Sequence, residues 1–585
     1  MSAERADDIY AARPWLKSYP AGAPADISES DYSTLVDMFR SSVAAYAERP
    51  VMESFGARLS YRDLGRAADC VAAWLQANGL KKGDRVAIMS PNVLAYPAII
   101  FGALIAGGVV VNVNPLYTPG ELEHQMNDAQ ARFLFVYENF AQTAELAWPR
   151  MTVEQAIIIR PGDLMGLRGH IVNFVARFVK RMVPAFRLPG SVTFAQVLNA
   201  GAKTGFTPVV VSRDDIAFLQ YTGGTTGVAK GAVLLHRNVA ANVEQSWAWQ
   251  RPFLEANGPH IMVTALPLYH IFGLTACCLL LIKTGGCCLL IANPRDLAGF
   301  IATLRKARFT LFSGVNTLYA ALADHPDIGK VDFSHLQLSV AGGMSTQEIV
   351  ARRWKELTGR PIVEGYGLSE TSPIVTTNRP DIEEFTGAIG YPQPSTYVSL
   401  RSSDGVVAPY GERGELLVKG PQVMPGYWRR PDETAKVMTP DGYFRTGDIA
   451  IMEPDGLIKI VDRLKDMILV SGFNVYPNEV EAALIEHPKV REVAVIGVPF
   501  EHSGEAPMAF IVPRDPSLTR EELRAFAHER LTGYKTPRFY EFRETLPKSN
   551  VGKILRRELR DEFLARAKTV ADEGRGKSLR TEIEG

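Results

Sequence analysis

A chain of 585 residues exceeds what one core fills, and at roughly 150 residues per domain it predicts several cores or subdomains. Hydrophobic residues at 46% and charged residues at 22% exclude an extended disordered chain and a membrane-spanning bundle. Lys plus Arg (64) balances Asp plus Glu (64), so no net field draws nucleic acid or an acidic partner, and any anion site must be local.

The opening MSAERADDIYAARPW carries acids and no apolar core, unlike a secretory signal, and the final Glu582-Ile583-Glu584-Gly585 is neither a prenylation nor a peroxisomal ending. A cytoplasmic location is expected. Beyond the opening, short apolar runs alternate with helical stretches. Val86 to Met89 reads as a strand, Tyr96 to Ala106 as a helix and Val109 to Asn112 as the next strand. The alternation continues to about Gly365 and predicts α/β architecture, doubly wound around parallel sheets. Thr118-Pro119-Gly120-Glu121 predicts a helix start with a capping box and proline at the first position, and Ser345-Thr346-Gln347-Glu348 predicts another capping box.

Between those two starts, Arg168 to Phe186 places Ile171, Phe174, Val175, Phe178 and Met182 on one helical stripe, with His170, Arg177, Lys180 and Arg181 elsewhere. This basic amphipathic helix suits either peripheral contact with an anionic membrane surface or packing of the stripe on the core. The longest apolar run, Ile271 to Ile282, falls short of the roughly 20 residues of a spanning helix, so no transmembrane anchor is expected. Cys277-Cys278 and Cys287-Cys288 sit among leucines, where cysteine behaves as a small hydrophobe, and adjacent cysteines rarely meet disulfide geometry.

From about Thr386 to 461, short alternating runs such as Tyr397 to Arg401 and Gly414 to Lys419 predict a β-rich subdomain. After Asp462 the texture changes again. Strands at Glu492 to Val498, Ala509 to Val512 and Phe539 to Phe542, with a helix opening at Thr519 and boxed by Glu522, predict a small α+β domain. The expected division is a large domain over 1–464, a hinge at 465–466 and a C-terminal domain over 467–585.

The strongest local chemical signal is Tyr221-Thr222-Gly223-Gly224-Thr225-Thr226-Gly227-Val228-Ala229-Lys230-Gly231, after the strand-like Ile216 to Gln220. Glycines let backbone N–H groups converge on phosphate oxygens, threonine hydroxyls add donors, and Lys230 adds a mobile charge. No G-K-[ST] follows, so it is not a Walker loop. A glycine-rich hairpin is the plainer alternative.

Together with Tyr366-Gly367-Leu368-Ser369-Glu370-Thr371, Thr446-Gly447-Asp448, the Asp462 to Asp466 segment and Pro547-Lys548-Ser549-Asn550-Val551-Gly552-Lys553, this loop resembles the adenylate-forming superfamily in motif order and spacing, from about Tyr32 to Arg560. Asn112-Val113-Asn114-Pro115-Leu116-Tyr117-Thr118-Pro119 and the Asp466 to Pro477 stretch are similar to bacterial long-chain fatty-acid CoA ligases. The resemblance implies a fatty acid substrate, ATP, Mg²⁺ and coenzyme A, no nucleic acid partner, and a homodimer. It implies that a fatty acid is joined to AMP and then passed to the CoA thiol. Fatty acyl-AMP ligases with another acceptor, and a catalytically silent lipid-binding homologue, are the competing readings.

The resemblance also assigns roles. Lys553 bridges the carboxylate and the α-phosphate, whose mutual repulsion must be neutralised. Glu370 is the Mg²⁺ ligand, as a hard cation wants a carboxylate oxygen. Thr371 donates a hydroxyl to the α-phosphate, and Tyr366 faces the adenine. Asp448 accepts the ribose hydroxyls and Arg463 sits beside them. His270 stands near the substrate carboxylate at the mouth of an acyl channel. Gly342, Gly343, Glu364, Gly365 and Gly367 join the phosphate loop in the nucleotide site, Gly472, Phe473 and Asn474 line the thiol path after a rotation, and Lys465 is the hinge. Read alone, Lys553 is a surface lysine, Glu370 a helix-start acid, Tyr366 and His270 core residues, and Asp448 and Arg463 a surface ion pair.

Overall fold

The computed structural model describes residues 9–30, 33–222, 229–402, 404–500, 503–549 and 552–572, the last six of these by backbone alone. The predicted Gly223, Gly224, Thr225, Thr226, Gly227 and Val228 of the phosphate loop, and Asn550 and Val551, lie outside the described residues.

Apolar runs become buried parallel strands because a strand covered on both faces has no polar face to alternate with. Val109–Val113 and Cys287–Leu290 are buried at every position. Among the described residues, seven strands form one sheet in the order Val192–Thr193, Gln155–Ile159, Ala131–Tyr137, Arg85–Met89, Val109–Val113, Ile216–Thr222 and Lys230–Leu235. Neighbours are parallel except the last pair, which is antiparallel and sets Thr222 opposite Lys230.

A nine-stranded sheet runs Tyr391–Pro392, Ile374–Thr377, Ile362–Gly367, Leu338–Ala341, Leu311–Gly314, Ile261–Thr264, Cys287–Leu290, Pro50–Ser54 and Ala57–Ser60. The six strands from Ile362–Gly367 to Pro50–Ser54 are parallel, and antiparallel pairs finish both edges. Helix Ala95–Ile105, predicted over Tyr96 to Ala106, is buried all round, as its uninterrupted apolar sequence requires. One core joins both sheets, from Val86 and Ile88 to Met262 and Cys288. Cys277, Cys278 and Cys288 belong to it, and Cys287 is buried as well.

A four-stranded antiparallel sheet follows over Tyr397–Arg401, Arg413–Lys419, Phe444–Met452 and Ile458–Arg463. The last sheet pairs Phe473–Val475, Ile468–Val470, Gly504–Pro513 and Val490–Phe500, with Phe539–Phe542 beside Gly504–Pro513. The architecture is thus α/β with a small α+β unit at the C-terminal end. No helix among the described residues is long and apolar enough to cross a membrane.

Three local expectations need correction. The capping box at Ser345 to Glu348 does not form: the helix is Glu348–Thr358 with Gln347 at its N-cap, and the Thr346 and Gln347 N–H groups before it donate to Glu364 and Asn316. Thr519 does cap Arg520–Arg530 by accepting from the Glu522 N–H, but the Glu522 carboxylate goes to Lys489 at 3.0 Å. The single helix expected over Arg168 to Phe186 is an α-helix at Leu167–Phe174 continued by one π-helical stretch, Val175–Val179. Arg181 then takes a φ of 48°, which ends it. The Thr118 box forms as predicted, with proline at its start.

Candidate active site

The carboxyl ends of the parallel strands in the nine-stranded sheet open into a cleft of about 2740 Å³, the place where open α/β sheets bind ligands. Strand Leu338–Ala341 delivers Gly342 and Gly343, and Ile362–Gly367 delivers Glu364, Gly365, Tyr366 and Gly367. Gly367 must be glycine: a Cβ there would lie 1.9 Å from the Pro373 carbonyl oxygen. Glu364 is buried, its Oε1 accepts the Thr346 N–H at 3.1 Å, and burial pushes its carboxyl up to about 7. Its Oε2 has no protein partner and stands on the cleft wall, an unused acceptor of the kind that a buried site retains for a ligand.

The four-stranded sheet supplies the next pair. Asp448 and Arg463 face each other in register across adjacent strands, with Arg463 Nε 3.0 Å from Asp448 Oδ1. The Tyr366 hydroxyl donates to Asp448 Oδ2 at 2.5 Å. Asp448 is almost fully buried, so this is not the exposed ion pair of the plainer reading.

Glu370 sits in a 3-10 turn, Ser369–Thr371, after Ile362–Gly367. The Tyr427 hydroxyl donates to Glu370 Oε1 at 2.8 Å, the Met424 N–H donates to its carbonyl, and burial raises its carboxyl pKa. A carboxylate oriented this way on the cleft wall fits one position of a hard cation that takes its other oxygens from phosphates and water. Thr371 does not reach the cleft. It is fully buried, and its hydroxyl donates to the Pro373 carbonyl at 2.5 Å and accepts the Leu368 N–H at 3.0 Å. The hydroxyl that does line the cleft is that of Ser369. Sequence reading missed it, although it directly precedes Glu370 in the same motif.

Of the phosphate loop, Thr222 and Lys230 line the cleft. The Lys230 ammonium pairs with Glu433 and lies 5.5 Å from the Tyr427 ring centroid, and hydrogen bonds from Lys230 and Lys436 hold the Glu433 carboxyl down at about 2. The loop's leading strand is braced from behind: the Tyr221 hydroxyl and Arg430 both donate to the Asp128 carboxylate at 2.6 Å.

Lys553 enters from the C-terminal unit on a tight turn. Its N–H donates to Ser549 Oγ, and the Ser549 N–H returns to the Lys553 carbonyl at 2.7 Å. The turn seats on helix Asn316–Ala323, where Thr317 Oγ1 donates to the Gly552 carbonyl at 3.5 Å. There the side chain is half-buried, and desolvation, followed by the positive field of Arg463, lowers its pKa to about 8. His270, at the end of Pro267-Leu268-Tyr269, accepts the Phe272 N–H on Nδ1 at 3.3 Å. Burial and then the Lys553 charge depress its pKa to about 4, so it is neutral at pH 7. Beyond His270 the cleft wall is apolar, with Ile271, Phe272, Ala276, Leu280, Met262 and Leu266.

Lys465 lies between the two last sheets, and burial, then Arg463, lowers its pKa. Around it, Arg556 from the final helix sits 3.6 Å from Asp462, 3.5 Å from Asp466 and 2.7 Å from Glu481, a cluster that no local motif announced. Gly472, Phe473 and Asn474 are not brought to the cleft. They are exposed, and Phe473 stacks on Tyr534 at 4.8 Å.

Comparison with known proteins finds relatives along most of the chain. The AMP-binding enzyme family covers residues 39–428, and the AMP-binding enzyme C-terminal domain covers 479–553. A long-chain-fatty-acid–CoA ligase of Escherichia coli O6:H1 is 52% identical over 550 residues, 94% of this chain and 98% of that protein. One from Bacillus subtilis is 39% identical over 554 residues, with the same coverage of 94% and 98%. Among solved structures, the anthranilate CoA ligase AuaEII in complex with anthranoyl-AMP aligns at a TM-score of 0.81 with 26% identity, over 92% of this chain and 100% of that one. ATP-bound MatB from Rhodopseudomonas palustris aligns at 0.76 with 27% identity, over 90% and 99%. Matched along both its parts, the chain belongs to the AMP-binding enzyme family and resembles the bacterial long-chain-fatty-acid–CoA ligases within it.

Proposed function

We propose that this chain is an ATP-dependent, AMP-forming ligase that joins a long-chain fatty acid to coenzyme A. The observation that carries the reading is the half-buried Lys553 ammonium, within the fields of Arg463, Asp448 and His270, in a cleft with one polar arm and one apolar arm. In the first half-reaction a carboxylate oxygen bonds to the α-phosphorus of ATP, the bond to the bridging oxygen breaks, and pyrophosphate leaves. Two anions meet in that step, and a desolvated ammonium aimed at the developing charge is worth several kcal/mol.

The polar arm suits the nucleotide. Asp448, positioned by Tyr366 and Arg463, accepts ribose hydroxyls, Glu364 Oε2 accepts from the base, and Thr222, Ser369 and Lys230 serve the phosphates once Lys230 exchanges Glu433 for them. Glu370 would hold Mg²⁺, which supplies charge neutralisation on the phosphate oxygens when bound. The apolar arm past neutral His270 suits an alkyl chain. His270 adds no second positive charge there, so the acid is positioned without being trapped as a tight ion pair.

In the second half-reaction the CoA sulfur bonds to the acyl carbonyl carbon, AMP leaves with the acyl–oxygen bond pair, and the thiol proton is released. Lys553 is no longer needed. Rotation about Lys465 would withdraw it and bring Gly472, Phe473 and Asn474 from the surface to the thiol path. Because a long-chain acid partitions into bilayers, the same reading includes peripheral contact with a membrane. Pyrophosphate release measured with and without CoA tests the proposal: slow or stoichiometric release without CoA and sustained turnover with it are expected. Sustained turnover without CoA would move the assignment to another acceptor, and no release at all would overturn it.

A further inference from the structure

Stripe residues of an amphipathic helix ordinarily face the core. Here they face out. Leu167, Ile171, Phe174, Phe178, Val179 and Met182 are all exposed, Leu167 at 87% and Phe178 at 64%. The reason lies on the opposite side of the helix, where a glycine rather than the stripe meets the protein. Gly169 is buried so closely against Gly162 that a Cβ on it would lie 2.1 Å from the Gly162 carbonyl oxygen. Asn173 accepts the Gly162 N–H at 2.8 Å. The side with Gly169, Val172 and Asn173 therefore packs inward and the main apolar stripe is left to solvent, with the Phe174 and Phe178 rings 5.3 Å apart.

A second apolar group joins the patch from elsewhere in the chain. Phe55, 59% exposed at the tip between Pro50–Ser54 and Ala57–Ser60, is held there with a φ of 49°. Arg168 donates to the Gly56 carbonyl at 3.0 Å and ties this tip to the helix start. Pro50–Ser54 runs parallel to Ile261–Thr264, two strand positions away, ~10 Å. The tip therefore lies on the same carboxyl edge of the sheet as His270 and the cleft. The rim of the patch is cationic. Residues 160–190 hold six Lys or Arg and one acid, Asp163, whose carboxylate turns inward to the Arg160 N–H. Arg168, Arg177, Lys180, Arg181 and Arg187 are exposed.

We infer that Phe55 and the 167–182 segment form a docking surface for an anionic phospholipid bilayer, with the apolar stripe in the acyl boundary and the cations among the headgroups. An exposed apolar face of this size with a basic rim is the composition of interfacial helices. A second copy of the chain is a poorer occupant, because a two-fold contact would set the same cations against each other. The purpose of the surface, to meet fatty acids leaving a bilayer, rests on the ligase reading; its existence does not.

The test is flotation of the full-length protein, without ATP or acid, on vesicles of phosphatidylcholine alone and of phosphatidylcholine with phosphatidylglycerol. The wild type is expected to float on the anionic vesicles and far less on the neutral ones. Arg177→Glu with Lys180→Glu and Arg181→Glu is expected to lower partitioning by at least about 100-fold, and Phe174→Glu with Phe178→Glu to abolish it. Pyrophosphate exchange with octanoate, a soluble acid, and thermal melting confirm that both variants are folded. Equal flotation of either variant and the wild type overturns the inference. So does wild type that stays off anionic vesicles but dimerises in light scattering through the same residues. A chain that floats as expected but makes no acyl-CoA leaves the surface standing and sinks the ligase reading.

Discussion

Gly552→Ala offers the sharpest test of how Lys553 is delivered. A Cβ on Gly552 would lie 2.3 Å from Thr317 Oγ1, about 1 Å inside ordinary contact, whereas Thr317 Cβ at 3.6 Å and Val315 Cγ2 at 3.5 Å would not object. The residue also has a φ of 83°, which costs a non-glycine side chain about 1–3 kcal/mol. The overlap exists only while the turn is seated on Asn316–Ala323, so the turn must lift by about 1 Å, and a misplacement of that size costs on the order of 100-fold in rate. ATP–pyrophosphate exchange should fall accordingly, while single-turnover conversion of presynthesised acyl-AMP with CoA should change little. Thr317→Ala removes the clashing oxygen at the loss of one long hydrogen bond, so the double variant should recover the steric part and keep the backbone part, leaving a deficit of about 10-fold. Equal losses in the two half-reactions, or no recovery in the double variant, would refute the idea that adenylation depends on this seat.

Four further outcomes are expected. Because adenylation needs the Lys553 ammonium and its pKa is lowered to about 8, kcat/KM for that step should be full below pH 8 and fall as pH rises through it; an alkaline limb that persists unchanged in Lys553→Arg would assign it to another group. Lys553→Ala should lose adenylation yet still convert supplied acyl-AMP. Asp448→Ala leaves Arg463 half-buried without its partner and removes the ribose acceptor, so calorimetry should show ATP binding weakened by about 10-fold or more; unchanged affinity would remove Asp448 from the nucleotide site. Lys465→Pro fixes φ at about −65° at the link between the two last sheets, and should spare pyrophosphate exchange while cutting thioester formation by orders of magnitude; retained acyl-CoA synthesis would sink the rotation mechanism.

Much of this protein was legible in one dimension because backbone geometry writes its period into the sequence. Val109–Val113, apolar but for Asn112, and the apolar Ala95–Ile105 read as they do because both are covered on all sides, and Thr118 with Glu121 announces a helix start through bonds only three residues apart. The motifs around Tyr366, Asp448 and Lys553 were likewise readable, since their residue types suit phosphate and ribose chemistry wherever the fold puts them. Local pattern failed where bonds to distant partners competed: Glu364 and Asn316 bind the Thr346 and Gln347 N–H groups, and the helix begins only at Glu348, beyond a Ser345 start, and the turn at Thr371 consumed the hydroxyl expected at the phosphate.

What only tertiary structure decided is desolvation and facing. No sequence pattern lowers the pKa of Lys553; desolvation in the cleft does so, followed by the charge of Arg463, ninety residues earlier in the chain. Nor could the stripe from Leu167 to Met182 say which way it points, because periodicity defines a face but not its neighbour. That was settled by the contact of Gly169 with Gly162, which turned the Gly169 side inward and left the main apolar stripe to the solvent.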